Sequence, residues 1–261
     1  MKHIIFYFSG TGNCLHVART IAKKMGGAQI LPMASLLEPK LEGKYGSVGF
    51  IYPTYFQGLP GVVEDFVRRL DISDCNCAYY YGITTYGELQ GNALPQLATL
   101  LREKGAMLHY SSGLKMFSNY VVMYNLSKEV SSKTEQSNLA LQNILSEILQ
   151  RKLKKTRRRI PFLNSYHSWQ IKRSKSLDRH YQVNDACISC NLCQRVCPVN
   201  NIEMVKGKPT FLNHCEQCVA CLHYCPKKAI NYKEKTQTRR RYHHPAVSAK
   251  QLIQSNEMVK Y

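Results

Sequence analysis

Two cysteine runs between positions 187 and 225 constrain this chain more than any other feature. They hold eight of its 11 cysteines. The first reads Cys187-Ile-Ser-Cys190-Asn-Leu-Cys193-Gln-Arg-Val-Cys197-Pro198. The second reads Cys215-Glu-Gln-Cys218-Val-Ala-Cys221-Leu-His-Tyr-Cys225-Pro226. Both are C-x₂-C-x₂-C-x₃-C-P, and the second copy lies 28 residues after the first (215 − 187). In a secreted chain such spacing can be a disulfide framework. The apolar stretch Ile4-Ile5-Phe6-Tyr7-Phe8 is too short for the core of a signal peptide, and Ser9-Gly10-Thr11-Gly12 follows at once. No apolar run approaches the ~18–20 residues that cross a bilayer. The expectation is a soluble, cytoplasmic protein whose thiolates coordinate metal.

The spacing resembles the bacterial ferredoxin run, in which three close cysteines wrap one corner of a cubane and the fourth reaches the other cluster. That resemblance implies two [4Fe–4S] clusters with crossed ligands. Cys187, Cys190, Cys193 and Cys225 hold one, and Cys215, Cys218, Cys221 and Cys197 hold the other. Two Cys₄ zinc sites are the competing reading. With the basic flanks they would make a zinc-bearing nucleic-acid-binding module. Two complete runs of four plus proline are unusual for zinc, and the aromatic spacing of a base-stacking platform is not evident. Nucleic acid is therefore set aside. The prolines suggest short helices at 198–202 and 226–230, and Lys206-Gly207 suggests a hairpin turn joining the halves.

Residues 1–150 alternate strand and helix: strand 3–8, helix 13–25, strands 29–32 and 47–52, helix 59–70, strand 78–84, helix 92–104, a fifth strand from 107, and helix 135–155. Pro60 is tolerated in a first helical turn. Leu139, Ile144, Leu145, Ile148 and Leu149 mark the inner side of the last helix. This order predicts an α/β fold with a doubly wound parallel five-stranded sheet. Residues 151–182 read as a basic, irregular linker, 183–232 as a small α+β two-cluster domain, and 233–261 as a polar, basic, poorly ordered tail. Net charge is +19, of which +10 sits in 151–182 and +5 in 233–261.

Between the first strand and helix lies Ser9-Gly10-Thr11-Gly12-Asn13-Cys14. Backbone N–H groups and hydroxyls at such a place can surround a phosphate. The loop is neither G-x-x-x-x-G-K-[ST] nor G-x-G-x-x-G. It is similar to the flavin mononucleotide (FMN) phosphate loop of flavodoxins. The chain as a whole, over about residues 1–232, resembles the flavodoxin–ferredoxin fusion family. That resemblance implies an FMN held by Ser9–Cys14 and by two loops at the C-terminal ends of strands, where open α/β sheets bind ligands. In the first of these, Pro53 and Thr54 precede Tyr55 and Phe56; in the second, Thr84 and Thr85 precede Tyr86 and Gly87. Tyr55 or Phe56 and Tyr86 would flank the isoalloxazine, with Thr54, Thr85 and Gly87 at its edge. Flavodoxins usually place threonine where this chain has Cys14. A thiol is a poorer donor, so either phosphate affinity is reduced or Cys14 is an inert structural residue.

The loop Met116–Tyr120 is longer than a connection needs. It either covers the flavin or packs against the linker and cluster domain. Cys75 and Cys77 read as structural, and His109, His214 and His223 form no ligand set. Together these readings predict an electron-transfer iron–sulfur flavoprotein. The alternative is an FMN-dependent reductase of a small-molecule substrate fed through the clusters. The basic stretch suits an acidic redox partner protein by electrostatic steering, or is simply a solvated face.

Overall fold

The computed structural model describes residues 1–257. The chain begins with β1 (Lys2–Tyr7), α1 (Asn13–Lys24), β2 (Gln29–Pro32), β3 (Gly43–Pro53), α2 (Gly61–Arg69), β4 (Cys75–Cys77), β5 (Tyr80–Tyr86), α3 (Ala93–Glu103), β6 (Leu108–Lys115) and α4 (Val130–Leu149). The main sheet runs β2-β1-β3-β5-β6. Its pairings are parallel, with Ile4 opposite Val48 and Ile51 opposite Ile83. Helices cover both faces, which explains why its strands read as near-continuous apolar runs. The three-residue β4 adds a sixth, peripheral strand to the start of β3. Leaving β4 aside, the order is that of the flavodoxin-like doubly wound sheet, whose ligand crevice opens at the switch between the first and third strands.

Two helix boundaries differ from the sequence reading. Helix α2 begins at Gly61, one residue beyond Pro60. Helix α4 runs from Val130 to Leu149 and buries Leu141, Ile144, Leu145 and Ile148, whereas Leu139 and Leu149 face solvent. It stops early because Arg151 takes a left-handed φ of 51°. The reversed chain then pairs with β6: the Lys154 N–H donates to His109 O (2.9 Å), and the Ser111 N–H donates to Lys154 O (3.0 Å).

The basic segment is not irregular throughout. It contains α5 (Pro161–Ser174), with proline in its first turn. Leu163 and His167 point inward. His167 Nε2–H donates to Leu59 O (2.7 Å), and Nδ1 accepts from Gln96 Nε2 (3.2 Å). Asn92 binds the backbone of Ile160 through both amide atoms, at 2.7 and 3.0 Å. Polar side chains invisible to a periodicity argument thus fix this helix against the sheet's ligand edge.

Next come β7 (Tyr181–Val183), α6 (Leu192–Arg195), β8 (Ile202–Val205), β9 (Lys208–Phe211), α7 (Ala220–Tyr224) and β10 (Ile230–Tyr232). Strands β8 and β9 form an antiparallel hairpin. Its turn is the expected Lys206-Gly207, both at positive φ (48° and 78°), as a type I′ turn requires. Strands β7 and β10 pair antiparallel and close this small α+β unit. The short helices do not follow the prolines. They lie inside the cysteine runs and carry Cys193 and Cys221, and Ile202 and Ile230 instead open strands.

The tail also differs from expectation. Tyr242, Val247, Leu252 and Ile253 are buried. The last of these residues lie on α8 (Ala249–Glu257), packed beside β2 and the 3₁₀ turn Met33–Ser35. Arg19 reaches Ser255 Oγ at 3.1 Å, and Ser35 Oγ donates to Asn256 O at 2.9 Å. Two apolar turns of helix suffice to anchor a segment whose average composition is polar.

Candidate redox site

The eight cysteines of the runs surround two cavities. Cys187, Cys190, Cys193 and Cys225 line a small outer cavity. Cys197, Cys215, Cys218 and Cys221 line a small inner one. Among the described residues, no three cysteine, histidine or acidic side chains gather closely enough for one metal ion; each set of four thiols rings a space instead. The repeat in sequence is also a repeat in backbone. Left-handed φ occurs at Ser189 and Asn191 in one run and at Gln217 and Val219 in the other. The N–H of Asn201 donates to Cys197 Sγ, and that of Ala229 to Cys225 Sγ, both at 3.2 Å. These turns aim backbone donors at sulfur, which lowers the cost of holding negative charge there.

Burial pushes the thiols upward: Cys193 to about 11, Cys215 to about 12, and Cys218 and Cys221 well above the ordinary range. Among the described residues, no lysine or arginine lines the inner cavity. Four thiolates there need a cationic core between them, and a coordinating metal deprotonates a thiol outright. The donor chemistry and the ringed spaces therefore fit iron–sulfur cubanes.

The β1–α1 loop is enclosed. Gly12 takes φ 93° at the start of α1, and its N–H donates to Ser9 Oγ at 3.1 Å. Thr11 Oγ1 accepts from Asn119 Nδ2 (2.7 Å), and Thr11 O from the His244 N–H (2.8 Å). Asn13 Oδ1 accepts from Tyr242 O–H at 2.8 Å. A Cβ on Gly10 would meet Cys218 O at 2.6 Å, and one on Gly12 would meet Val247 Cβ at 2.8 Å. The buried tail and the inner cysteine loop thus press directly on this segment. Cys14 lies beside Thr85 Oγ1 (3.2 Å), and burial pushes its thiol to about 12, which makes it unreactive.

A third, much larger cavity opens where the strand ends, the cluster unit and α5 meet. Of the expected flavin-holding residues, Asn13, Pro53, Thr54, Tyr55, Phe56, Thr85, Tyr86 and Gly87 line it. Ser9, Gly10, Thr11, Gly12, Cys14 and Thr84 do not; Thr84 Oγ1 sits behind, bonded to Thr54 Oγ1 at 2.9 Å. The turn after β3 is unusual: consecutive Phe56 and Gln57 both have positive φ (47° and 64°). Tyr55 and Gly58 exchange two backbone bonds across it, at 3.0 and 2.8 Å. Strain of this kind concentrates where a loop must present side chains to a ligand.

Sequence reading missed several lining residues: Met123 and Tyr124, Tyr166 and Gln170 on α5, and Gln217, Cys218 and Val219 from the cluster unit. They come from three separate segments, so no spacing rule finds them. The loop Met116–Tyr120 lines the cavity and also packs on its neighbours. Phe117 stacks on Tyr242 with centroids 4.4 Å apart, and Val121 and Val122 are buried with Tyr181 and Leu222. Gln217 Oε1 accepts from Tyr181 O–H (3.1 Å) and Tyr120 O–H (3.4 Å). Cys218 lines both the inner and the large cavity, so only one residue's thickness divides them. The mouth is apolar, with Leu89 63% and Met123 74% exposed, and Glu88 is the one charged side chain in its lining.

Residues 180–203 match the 4Fe-4S binding domain family, which takes in the whole first cysteine run. No curated protein matches the sequence. Among solved structures, a protein described as a flavoprotein from Bacteroides uniformis is similar at 18% identity, over 44% of this chain and 90% of that one, with a TM-score of 0.35. The rubredoxin oxygen:oxidoreductase of Desulfovibrio gigas is similar at 16% identity, over 57% of this chain and 36% of that one, with a TM-score of 0.36. The Trp repressor binding protein of Bacillus subtilis is similar at 15% identity, over 54% and 96%, with a TM-score of 0.36. At such scores the fold assignment rests on the strand order itself. A flavodoxin-like sheet joined to a 4Fe–4S segment defines an iron–sulfur protein of the electron-transfer class. The combination is consistent with a flavodoxin–ferredoxin fusion. No helix among the described residues is long and apolar enough to cross a membrane.

Proposed function

We propose that this protein relays electrons between two [4Fe–4S] clusters and an FMN. The observation that carries this reading is the shared wall: Cys218 belongs to the inner cysteine set and also faces the large cavity. Cys187, Cys190, Cys193 and Cys225 hold the outer cluster, and Cys197, Cys215, Cys218 and Cys221 the inner one. Such clusters carry single electrons while a flavin takes up one or two, so the assembly couples one-electron carriers to a two-electron reaction. The chain's own task is placement. Tyr55, Phe56 and Tyr86 supply aromatic surface for a flat ring, Asn13, Thr54 and Thr85 supply polar contacts, and Gln217 fixes the inner loop against Tyr120 and Tyr181. The cover over Ser9–Gly12 excludes water from the loop proposed to hold the phosphate.

The roomy, apolar mouth favours a second reading, in which a small substrate is reduced inside the large cavity. The basic segment 151–182 is the proposed contact for an acidic electron carrier. An anaerobic absorption spectrum with metal and flavin analysis tests the relay. The expected result is about eight iron atoms per chain, following from two cubanes, with one FMN and a chromophore that dithionite bleaches. A colourless, zinc-loaded protein sinks the relay. Clusters without flavin reduce it to a ferredoxin. Turnover of quinone or nitro acceptors separates the reductase from the carrier.

A further inference from the structure

The two cysteine sets have the same backbone and different electrostatic surroundings. Asp178, in the 3₁₀ turn before β7, is fully buried. Its Oδ2 accepts from Asn201 Nδ2 (2.8 Å) and from the Asn213 N–H (3.0 Å), while Oδ1 has no partner among the described residues. Asn201 lines the inner cavity, and the charge of Asp178 bears on Cys197 and Cys215. Glu216 lines the same cavity and accepts from the Val62 N–H at 3.2 Å, but burial pushes its carboxyl upward, toward the neutral form. The outer set has no buried carboxylate in its lining.

Arg241 has the opposite sign and a different place. Its guanidinium donates to Ile230 O (3.1 Å) and Asn231 Oδ1 (2.7 Å), and Ile230 lines the outer cavity. Nε and the other terminal nitrogen are buried without a partner among the described residues. The thiols its charge bears on are Cys225 first and Cys221 second. Lys227 also lines the outer cavity and is exposed.

We infer that these charges make the two clusters unequal: Asp178 holds the inner one at the lower reduction potential, and Arg241 raises the outer one. Reduction adds one negative charge to a cluster. A neighbouring carboxylate opposes that charge, a guanidinium favours it, and burial without compensation opposes it further. All three differences point the same way. The first electron therefore rests at the outer, solvent-near site, and the inner site beside the large cavity fills last. The inference rests on the two-cluster reading above and adds an order of filling to it.

Potentiometric titration of the loaded full-length protein, followed by electron paramagnetic resonance, tests it. Wild type should reduce in two one-electron steps. Asp178→Asn is the sharpest variant, because its amide oxygen can keep the two bonds of Oδ2 while the carboxylate is removed. It should move the lower step upward, raising the reduced-to-oxidised ratio at fixed potential about tenfold, which is ~59 mV for a one-electron couple, and leave the upper step in place. Arg241→Gln should move the upper step downward more than the lower, and Arg241→Lys should restore most of that shift. Coincident steps in wild type, or a lower step indifferent to Asp178→Asn, overturn the inference while leaving the relay intact. If no cluster signal appears in wild type, the two-cluster reading itself fails.

Discussion

The outer and inner cysteine sites are copies in sequence and in backbone, yet they sit in unlike places. Cys190 of the outer set is exposed and Ile188 beside it is 56% exposed. Cys215, Cys218 and Cys221 of the inner set are all buried, against the sheet domain on one side and Tyr181 and Phe211 on the other. A 28-residue offset repeats the ligands and their turns; it does not repeat what packs around them. Environment, and not the motif, is what can give two identical sites different duties.

Removing one thiol from each site breaks the comparison most severely. Cys218→Ser should lower both iron and flavin content, because that residue walls two cavities. Cys190→Ser should lower iron to about half with flavin unchanged, as expected for two cubanes with separate sulfur sets. Equal flavin loss in the two variants, measured by metal analysis and released-flavin fluorescence, would falsify the shared wall. A kinetic version follows with an exposed and a buried site: under a chelator in air, iron should leave in two phases, the outer about tenfold faster if burial sets access. A single phase would mean that the tail and sheet give the inner set no shelter.

Acid should erode that shelter. Burial, and then the nearby His16 charge, pull His244 from 6.5 down to about 3. The unfolded chain therefore binds a proton that the folded one refuses between those values. Stability from this group is complete above about pH 6.5 and is lost as pH falls toward 3. Thermal midpoints should drop over that window, and His244→Asn should flatten the drop; an unchanged slope would remove His244 from the account. The smallest expected effect concerns the basic segment. Raising salt from ~50 to ~300 mM shortens the screening length to below ~10 Å, and the rate of electron exchange with an acidic carrier should fall about threefold. A rate indifferent to salt would make residues 151–182 a solvated face.

The sequence exposed the repeats because the cysteines from Cys187 to Cys225 recur at fixed spacing, and their sorting into two sets is what the resemblance to the ferredoxin run implies. The sheet was legible for a similar reason: Ile4–Tyr7, Val48–Tyr52 and Tyr80–Thr84 are buried on both faces and read as unbroken apolar runs. The helix of residues 161–174 was not legible, since it buries only Leu163, His167 and Ser174 and is held by polar contacts with Asn92 and Gln96. The tail misled for the opposite reason. Its charge is concentrated at Arg239, Arg240 and Arg241, while Tyr242, Val247, Leu252 and Ile253 do the packing. The large cavity lay beyond any linear pattern, because Asn13, Tyr86, Tyr124, Tyr166 and Cys218 meet only in three dimensions.

The bond from His244 to Thr11 joins positions 233 residues apart (244 − 11). Contacts of such separation form late, because a long loop must close before they are rewarded. During synthesis, the strands and helices up to residue 149 and both cysteine runs emerge before residues 242–253 can lie across the β1–α1 loop. The chain thus keeps an open interval in its own assembly, during which bulky groups can enter, and ends that interval with its latest-made described helix. In a folding experiment, that helix should be the last to gain hydrogen-exchange protection and the first to lose it.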